Sequence, residues 1–460
     1  MNDNFVNLRE KYRTFSYNGY SLTKDDEFIR IQFDFSIDGL CEFHPTTKIA
    51  TGNLNIINSF DSLTAQRIIF SLGMVEAVSY WKSSCAPTML VKCGRLDADD
   101  AEWWKKLYYN GLGEFFYRNS IETSFEDFVE IKCVSDCEKG EATDFVSSSM
   151  NIIPVGGGKD SNVTMNLLGE LHDKNMCFTV NNQGARTDSA SAAGYGENEI
   201  IKTFRTIDAN LLELNKQGFL NGHTPFSAIV AFLSLYCAYL IGAENIVLSN
   251  EASANESNIS GTDVNHQYSK SYEFERDFND YVNRHFDINT KYFSILRAFN
   301  ELQIAKYFSS CKQFHSVFKS CNAGSKKNVW CCNCAKCLFV YIILSPFLTE
   351  EELVRIFGCN MLEKADLTDD FTGLTGLSEV KPFECIGTVK EVCCAVDMTV
   401  KKYRGESKNL PYLLKLYCEQ KGEGVPCDRE LLTEFNEENN IPEKFMKYVT
   451  EMYNYVSAVD

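Results

Sequence analysis

Apolar and polar residues alternate strictly between Ile29 and Ile37, where Ile29, Ile31, Phe33, Phe35 and Ile37 are separated by Arg30, Gln32, Asp34 and Ser36. A period of two over that length predicts a strand with one buried face. Helical spacing follows at 61–80 and 99–110, with the strand-like Thr88-Met-Leu-Val-Lys92 between them. Residues 1–148 therefore read as an α+β domain. The polar run 137–149, with Glu138, Lys139, Gly140, Glu141 and three consecutive serines, marks its end. From 149 to 340 the rhythm changes. Asn151-Ile-Ile-Pro-Val155 reads as a short buried strand, followed by a glycine turn and a helix with Val163, Leu167 and Leu171 on one face. Cys177-Phe-Thr-Val180 is the next strand. Strands alternating with helices predict an α/β fold with a parallel sheet and helices on both faces. The region 341–460 reads as mainly helical. Thr349 with Glu352 forms a capping box there, and Gly358 closes that helix.

The stretch 223–243 (HTPFSAIVAFLSLYCAYLIGA) carries no residue charged at neutral pH and is about long enough to span a bilayer. It also holds Thr224, Ser227, Ser234, Tyr236 and Tyr239, and no cationic cluster flanks it. Thr224 as N-cap, Pro225 as first helical residue and Gly242 as terminator are the punctuation of a soluble helix. The strand-like Asn245-Ile-Val-Leu-Ser249 follows at once. A helix buried in a helix–sheet layer is expected, with no membrane partner.

Composition narrows the classes further. Of 460 residues, 44% are apolar and 23% charged, and only 27 Gly and 9 Pro are present. That excludes a disordered or collagen-like chain and leaves room for about three domains of ordinary size. The balance of 45 Lys+Arg against 63 Asp+Glu gives a net charge of −18, which disfavours nucleic acid as a partner. The first residues show no basic stretch followed by an apolar one, so a cytoplasmic location is expected. Nineteen cysteines in such a compartment read as thiols and metal ligands, not as a disulfide framework.

The strongest local motif is Pro154-Val-Gly-Gly-Gly-Lys-Asp-Ser161, between strand and helix. Three glycines let the backbone approach a ligand, and the amides at a helix start point at an anion. Lys159 adds a cation and Ser161 a hydroxyl, and Asp160 suits Mg²⁺ beside phosphate oxygens. The order differs from the G-x-x-x-x-G-K-[ST] loop. It resembles the S-G-G-x-D-S pyrophosphate loop of PP-loop ATPases, which split ATP to AMP and pyrophosphate while adenylating a substrate. Gly156 stands where that motif has its first Ser.

Cys321, Cys331, Cys334 and Cys337 form a C-x9-C-x2-C-x2-C series suited to a closed, structural, tetrahedral Zn²⁺ site. Cys332 is an extra thiol in the run that competes as a ligand. A similar spacing occurs in the zinc site of PP-loop 7-cyano-7-deazaguanine synthases.

A third signal is dispersed over Asn221-Gly-His-Thr224, Ser249-Asn-Glu-Ala-Ser253 and Asn265-His-Gln-Tyr-Ser-Lys270. Residues 249–251 directly follow a strand, where open α/β sheets bind ligands. Glu251 suits Mg²⁺ coordination or base chemistry. His266, one of only six histidines, suits proton transfer near neutrality, and Lys270 suits a carboxylate or phosphate.

These motifs occur together in one family. Gly111-Leu-Gly-Glu-Phe115 with Tyr117-Arg-Asn119, the 156–161 loop, Asn221-Gly-His223, Ser249-Asn-Glu251, Asn265-His-Gln267 with Ser269-Lys270, and Phe274-Glu-Arg-Asp-Phe278 resemble the MurL-type UDP-N-acetyl-α-D-muramoyl-L-alanyl-L-glutamate epimerases of bacterial peptidoglycan synthesis. Ser320-Cys-Asn322, Trp330 with the cysteine series, and Lys381-Pro-Phe-Glu-Cys-Ile-Gly387 extend the resemblance, which covers residues 70–390.

The resemblance implies an ATP- and Mg²⁺-dependent epimerase that turns the terminal L-Glu of UDP-MurNAc-L-Ala-L-Glu into D-Glu, releasing AMP and pyrophosphate. On this reading Gly156, Gly157, Gly158, Lys159, Asp160 and Ser161 bind ATP, with Asp160 or Glu251 as Mg²⁺ ligands. His266 is the first choice for the α-proton base, and His223, Glu384 and Cys385 are rivals for the second protonating group. Lys270 and Arg118 are candidates for the anionic groups of the substrate, joined by Asn250 and Asn265. The N-terminal domain is assigned the UDP-sugar. The competing readings are a PP-loop ligase, thiolase or nitrile-forming enzyme on another adenylated substrate, and a nucleotide-sensing zinc protein without catalysis.

Overall fold

The computed structural model describes residues 2–52, 54–135, 145–181, 183–255, 268–321, 323–324, 327–378, 382, 384, 386–421 and 429–458. Its framework is a single sheet of eleven strands. They are β1 (Thr14–Lys24), β2 (Phe28–Ile37), β3 (Cys41–Phe43), β4 (Thr46–Ala50), β5 (Thr88–Val91), β6 (Glu130–Cys133), β7 (Asn151–Pro154), β8 (Asn175–Val180), β9 (Ile200–Thr206), β10 (Asn245–Leu248) and β11 (Lys291–Ser294). The alternation of β2 holds: Ile29, Ile31, Phe33, Phe35 and Ile37 are all buried.

Strands β7 to β11 form a parallel half in the order β11-β10-β7-β8-β9. Counted along the chain from β7 and read from the β9 edge, that is 3-2-1-4-5, so the winding reverses between β7 and β10. Open α/β sheets bind ligands beyond the carboxyl ends of the strands at such a reversal. At the opposite end, Asn245 donates to Asn151 (2.8 Å) and Asn151 to Asn175 (2.9 Å), all three buried. This amide ladder pins β10, β7 and β8 in one register, because a slip would leave buried amides unpaired. The antiparallel pairing of β4 with β9 then continues the sheet into the first half, Thr46 opposite Thr206 through Ile49 opposite Thr203.

Both faces of the parallel half are covered. Ile152, Phe178, Ile246 and Leu248 join one apolar core with the helix Phe226–Ile241, while Ile153, Cys177 and Val247 join another with Glu301–Ser310 and Ala335–Leu344. The short apolar runs of these strands thus reflect burial on two sides. The stretch 223–243 forms the helix Phe226–Ile241, closed by Gly242 at φ 68°. Its start differs from the expected one. The Phe226 N–H donates to the Thr224 carbonyl (2.7 Å), which turns Pro225 to ψ 70° and makes it the cap in place of Thr224. Among the described residues no helix is long and apolar enough to cross a membrane. The capping box of Thr349 and Glu352 and the left-handed Gly358 stand as expected.

Candidate active site and cysteine cluster

A cavity of about 280 Å³ opens at the reversal, beyond the ends of β7, β8 and β10. Phe178, Val180 and Leu248 give it an apolar side. Gly156, Gly158, Asp160, Ser161, Arg186 and Lys319 give it a polar side. The glycine loop leaves β7 and enters the helix Lys159–Leu167, whose cap residue is Gly158. Two of the three glycines have a steric reason. Gly157 has φ +82°, and a Cβ there would lie 2.8 Å from the carbonyl carbon of Ala185. A Cβ on Gly158 would lie 2.6 Å from Ser320 Oγ, whereas one on Gly156 would meet open space.

Lys159 does not reach the cavity. It is 2% exposed and pairs with Asp160 and Glu301. Burial works to lower its pKa, and the two carboxylates outweigh that, so it stands above the ordinary lysine value. Its position makes it a brace for Asp160, among the described residues the one carboxylate in the cavity wall. Glu301 in turn donates its backbone N–H to Glu391 (2.8 Å), at the start of the helix Val389–Gly405. Gly387 fits between them: a Cβ there would meet Glu391 Oε2 at 2.7 Å and Glu301 Cγ at 3.0 Å. Gly387, the last residue of the 381–387 motif, thereby lies against Glu301, the partner of Lys159.

Burial pushes the Glu301 carboxyl up to about 8, opposed by Lys159 and reinforced by Asp160, Glu251 and Glu391. Burial also raises Glu391. A carboxyl whose folded pKa exceeds its unfolded one binds its proton better in the folded state. Its contribution is present at low pH and is lost as pH climbs from about 4.5 through about 8. Glu301→Gln is therefore expected to flatten the fall of stability over that interval, a fall of at most about 1.4 kcal/mol per pH unit. Urea unfolding of both proteins at two pH values within it measures the difference.

Asn250 lines the cavity, and its carbonyl accepts from Ser294 Oγ (2.6 Å). Glu251 is buried, and its carbonyl accepts from Arg297 Nη1 (2.8 Å). Arg297 Nη2 donates to the Lys270 carbonyl (2.6 Å), so one buried guanidinium ties the 249–251 and Tyr268–Lys270 segments together. His223 and Arg118 meet elsewhere on one carboxylate: Glu114 lies 2.5 Å from Arg118 Nε and 3.8 Å from His223 Nδ1. Lys82, pushed down to about 8 by burial and then by Arg205, donates to the Gly222 carbonyl beside them. This group sits at the start of the helix Phe226–Ile241, whose Phe226 and Ser227 line the cavity. Glu384 is half-buried, with its N–H on the Pro382 carbonyl (2.9 Å). Asn265, His266 and Cys385 lie outside the described residues.

The sulfurs of Cys321, Cys331, Cys334 and Cys337 all lie within 4.8 Å of one another, Cys331 and Cys337 at 3.7 Å. A tetrahedron of Zn–S bonds of about 2.3 Å has edges of about 3.8 Å, so the donor set fits zinc. Backbone N–H groups of Gly324 (3.0 Å) and Cys331 (3.4 Å) donate to Cys321 Sγ, as they do to thiolates. Hydrogen bonding from Cys337 holds the Cys334 thiol below its ordinary range. Cys332 is not a rival ligand. At φ +52° its side chain turns away, and its sulfur donates to the Phe357 carbonyl (3.1 Å).

Arg186, Lys319, Glu301, Glu391 and Arg297 were not legible as site residues in the sequence. Arg186 follows β8 at the carboxyl edge of the sheet, the same signal that singled out 249–251. Lys319 lies two residues before the first cluster cysteine. Glu301 stands in the first turn of its helix and Glu391 closes a capping box with Thr388, both ordinary places for glutamate, and so neither carried a signal.

Residues 6–295 match the family model of the MurL N-terminal domain, and residues 307–421 that of the MurL C-terminal domain. The chain belongs to the MurL family. A relative from Xanthomonas oryzae pv. oryzae is 33% identical over 374 residues, 79% of each chain. Others come from Micromonospora sp., at 32% over 80% of this chain and 83% of the relative, and from Salinispora tropica, at 31% over 80% of each. All three are named UDP-N-acetyl-alpha-D-muramoyl-L-alanyl-L-glutamate epimerase. The boundary between the two MurL domains falls within 296–306, which runs from just after β11 into the helix Glu301–Ser310, so the glycine loop belongs to the first MurL domain and the cysteine cluster to the second.

Proposed function

We propose that this chain inverts the terminal L-Glu of UDP-MurNAc-L-Ala-L-Glu to D-Glu, in an ATP-dependent reaction of peptidoglycan precursor synthesis. Three relatives of that name support the substrate and the reaction. The observation that carries the ATP dependence is the glycine loop at the reversal of a 3-2-1-4-5 parallel sheet, opening on a cavity with one apolar side and one polar side that carries Arg186 and Lys319. That arrangement supports a PP-loop fold with the purine on the apolar side and the phosphates on the loop amides.

The chemistry explains the need for ATP. An α-proton beside an ionised carboxylate is a very weak acid, since its loss places a second negative charge next to the first. Adenylation joins the carboxylate to the α-phosphorus of ATP and releases pyrophosphate. The carbonyl is then an electron sink, and a side-chain base takes the proton. Return of a proton to the other face, then water at the acyl-adenylate, yields D-Glu and AMP. Asp160, braced by Lys159, would hold Mg²⁺, which balances phosphate charge when bound. The four cysteines would hold structural Zn²⁺. His266 remains the first choice for the α-proton base, and His223, beside Glu114, for the second group. Substrate contacts fall to Arg118, Asn250, Asn265 and Lys270.

One reaction in D₂O with ATP, Mg²⁺ and UDP-MurNAc-L-Ala-L-Glu tests the reading. One deuteron in the terminal glutamate, D-Glu after hydrolysis and AMP in step are expected. AMP without deuterium would leave an adenylating enzyme on another path. Racemised product without AMP would remove the activation step.

A further inference from the structure

Two separate contacts fasten the cysteine cluster to the cavity. The first runs along the chain. Cys321 is preceded by Ser320 and Lys319, both in the cavity wall. Lys319 donates its backbone N–H to the Gly157 carbonyl (2.8 Å), and Ser320 Oγ occupies the space that a Cβ on Gly158 would need. This strap lies flat on the glycine loop and ends in a cluster sulfur. The second contact crosses space. Asn328, between Cys321 and Cys331, donates from Nδ2 to Asp188 (3.1 Å) and packs on Gly184, where a Cβ would come within 2.6 Å of it. Gly184 and Asp188 belong to the helix Gly184–Ala192, which carries Arg186 into the cavity wall.

Among the described residues, Arg186 and Lys319 are the two cations of that wall. Arg186 Nη1 donates to the Val180 and Asn181 carbonyls, and Lys319 Nζ to the Ser316 (3.1 Å) and Phe318 (3.0 Å) carbonyls. Carbonyl dipoles orient these groups, and Asp188 offsets part of the Lys319 charge; the remainder is available to an anion in the cavity. Between Cys321 and the helix Ala335–Leu344 the described chain has no α-helix or strand, so its shape is held by Trp330, packed on Phe318 and Phe357, and by what joins the four sulfurs.

We propose that the metal-filled cysteine cluster is the positioning device for the phosphate end of the nucleotide cavity. It sets Lys319 through the 319–321 strap and Arg186 through Asn328. This rests on the ATP reading given above. Its consequence is that ATP affinity depends on a metal that touches no part of ATP.

The test uses the full-length zinc-loaded chain, with ATP binding read by calorimetry and zinc content by atomic absorption. Asn328 has φ +54°, so Asn328→Gly removes its side chain while keeping the backbone turn and all four cysteines. About tenfold weaker ATP binding is expected, with zinc retained. Cys334→Ser is expected to lose both zinc and ATP affinity, and its loss should be shared with that of Lys319→Met, so that the double variant binds better than the product of the single effects allows. If Cys334→Ser does not fold by circular dichroism, the pair Asn328→Gly with Arg186→Met serves the same cycle. Wild-type ATP affinity in Asn328→Gly, or fully multiplicative losses in the cycle, would overturn the proposal while leaving the ATP reading intact. A wild-type chain that binds no ATP would instead overturn the ATP reading.

Discussion

Gly157→Ala is expected to lower turnover by at least about 100-fold, while Gly156→Ser one residue earlier is expected to keep it within a few-fold of wild type. At Gly157 the backbone is left-handed, φ +82°, a conformation that costs an L-residue about 1–2 kcal/mol. The new methyl would also lie 2.8 Å from the backbone carbon of Ala185. Ala185 sits inside the helix Gly184–Ala192, so the neighbour cannot rotate aside as a side chain would, and the loop itself must move. A displacement near 1 Å at a group that aligns reacting atoms costs about 100-fold. At Gly156 φ is ordinary for any residue and a Cβ meets nothing within 4 Å. Serine there would also restore the hydroxyl of the S-G-G-x-D-S motif. AMP release measured on the three proteins separates the cases. Equal loss in both variants would show that the loop is sensitive to bulk in general, and that its left-handed residue is not what matters.

Glu76→Ala is expected to cost about 3–5 kcal/mol of stability. Glu76, in the helix Leu63–Trp81, makes two parallel hydrogen bonds to Arg205 of β9, at 2.7 and 2.8 Å. The side chains are 2% and 9% exposed, so water replaces neither partner. Arg205 stands opposite Thr47 in the β4–β9 pairing, the junction at which the first and second halves of the sheet meet. Alanine would leave a buried guanidinium with, among the described residues, only Ser79 Oγ (3.1 Å) as a side-chain acceptor. Replacing both partners by apolar residues of similar size should recover most of the loss, since the penalty comes from the stranded charge. Urea unfolding of the single and double variants decides it. A single-variant cost below about 1 kcal/mol would mean that solvent reaches the pair.

The sequence alone determined the local elements whose period reports a single buried face or a pair of caps. β2 is legible because every second residue is apolar, and the helix Glu350–Phe357 because Thr349, Glu352 and Gly358 cap it chemically. The glycine loop was legible for the same reason: three adjacent glycines between an apolar strand and a helix have few other uses. So was the cysteine series, in which four ligands lie within 17 residues of one another and need no long-range fold to meet. Tertiary structure decided everything that depends on which groups face each other across the sheet. It turned Lys159 inward onto Glu301, although in sequence it reads as one more phosphate ligand. It turned Cys332 away from the three cysteines around it, because a left-handed backbone points its sulfur at the Phe357 carbonyl. It drew Arg186, Lys319 and the distant Glu391 to the same loop. Such pairings are set by strand order and by helices crossing both faces of the sheet, and the order β11-β10-β7-β8-β9 leaves no periodic trace in the residues that obey it.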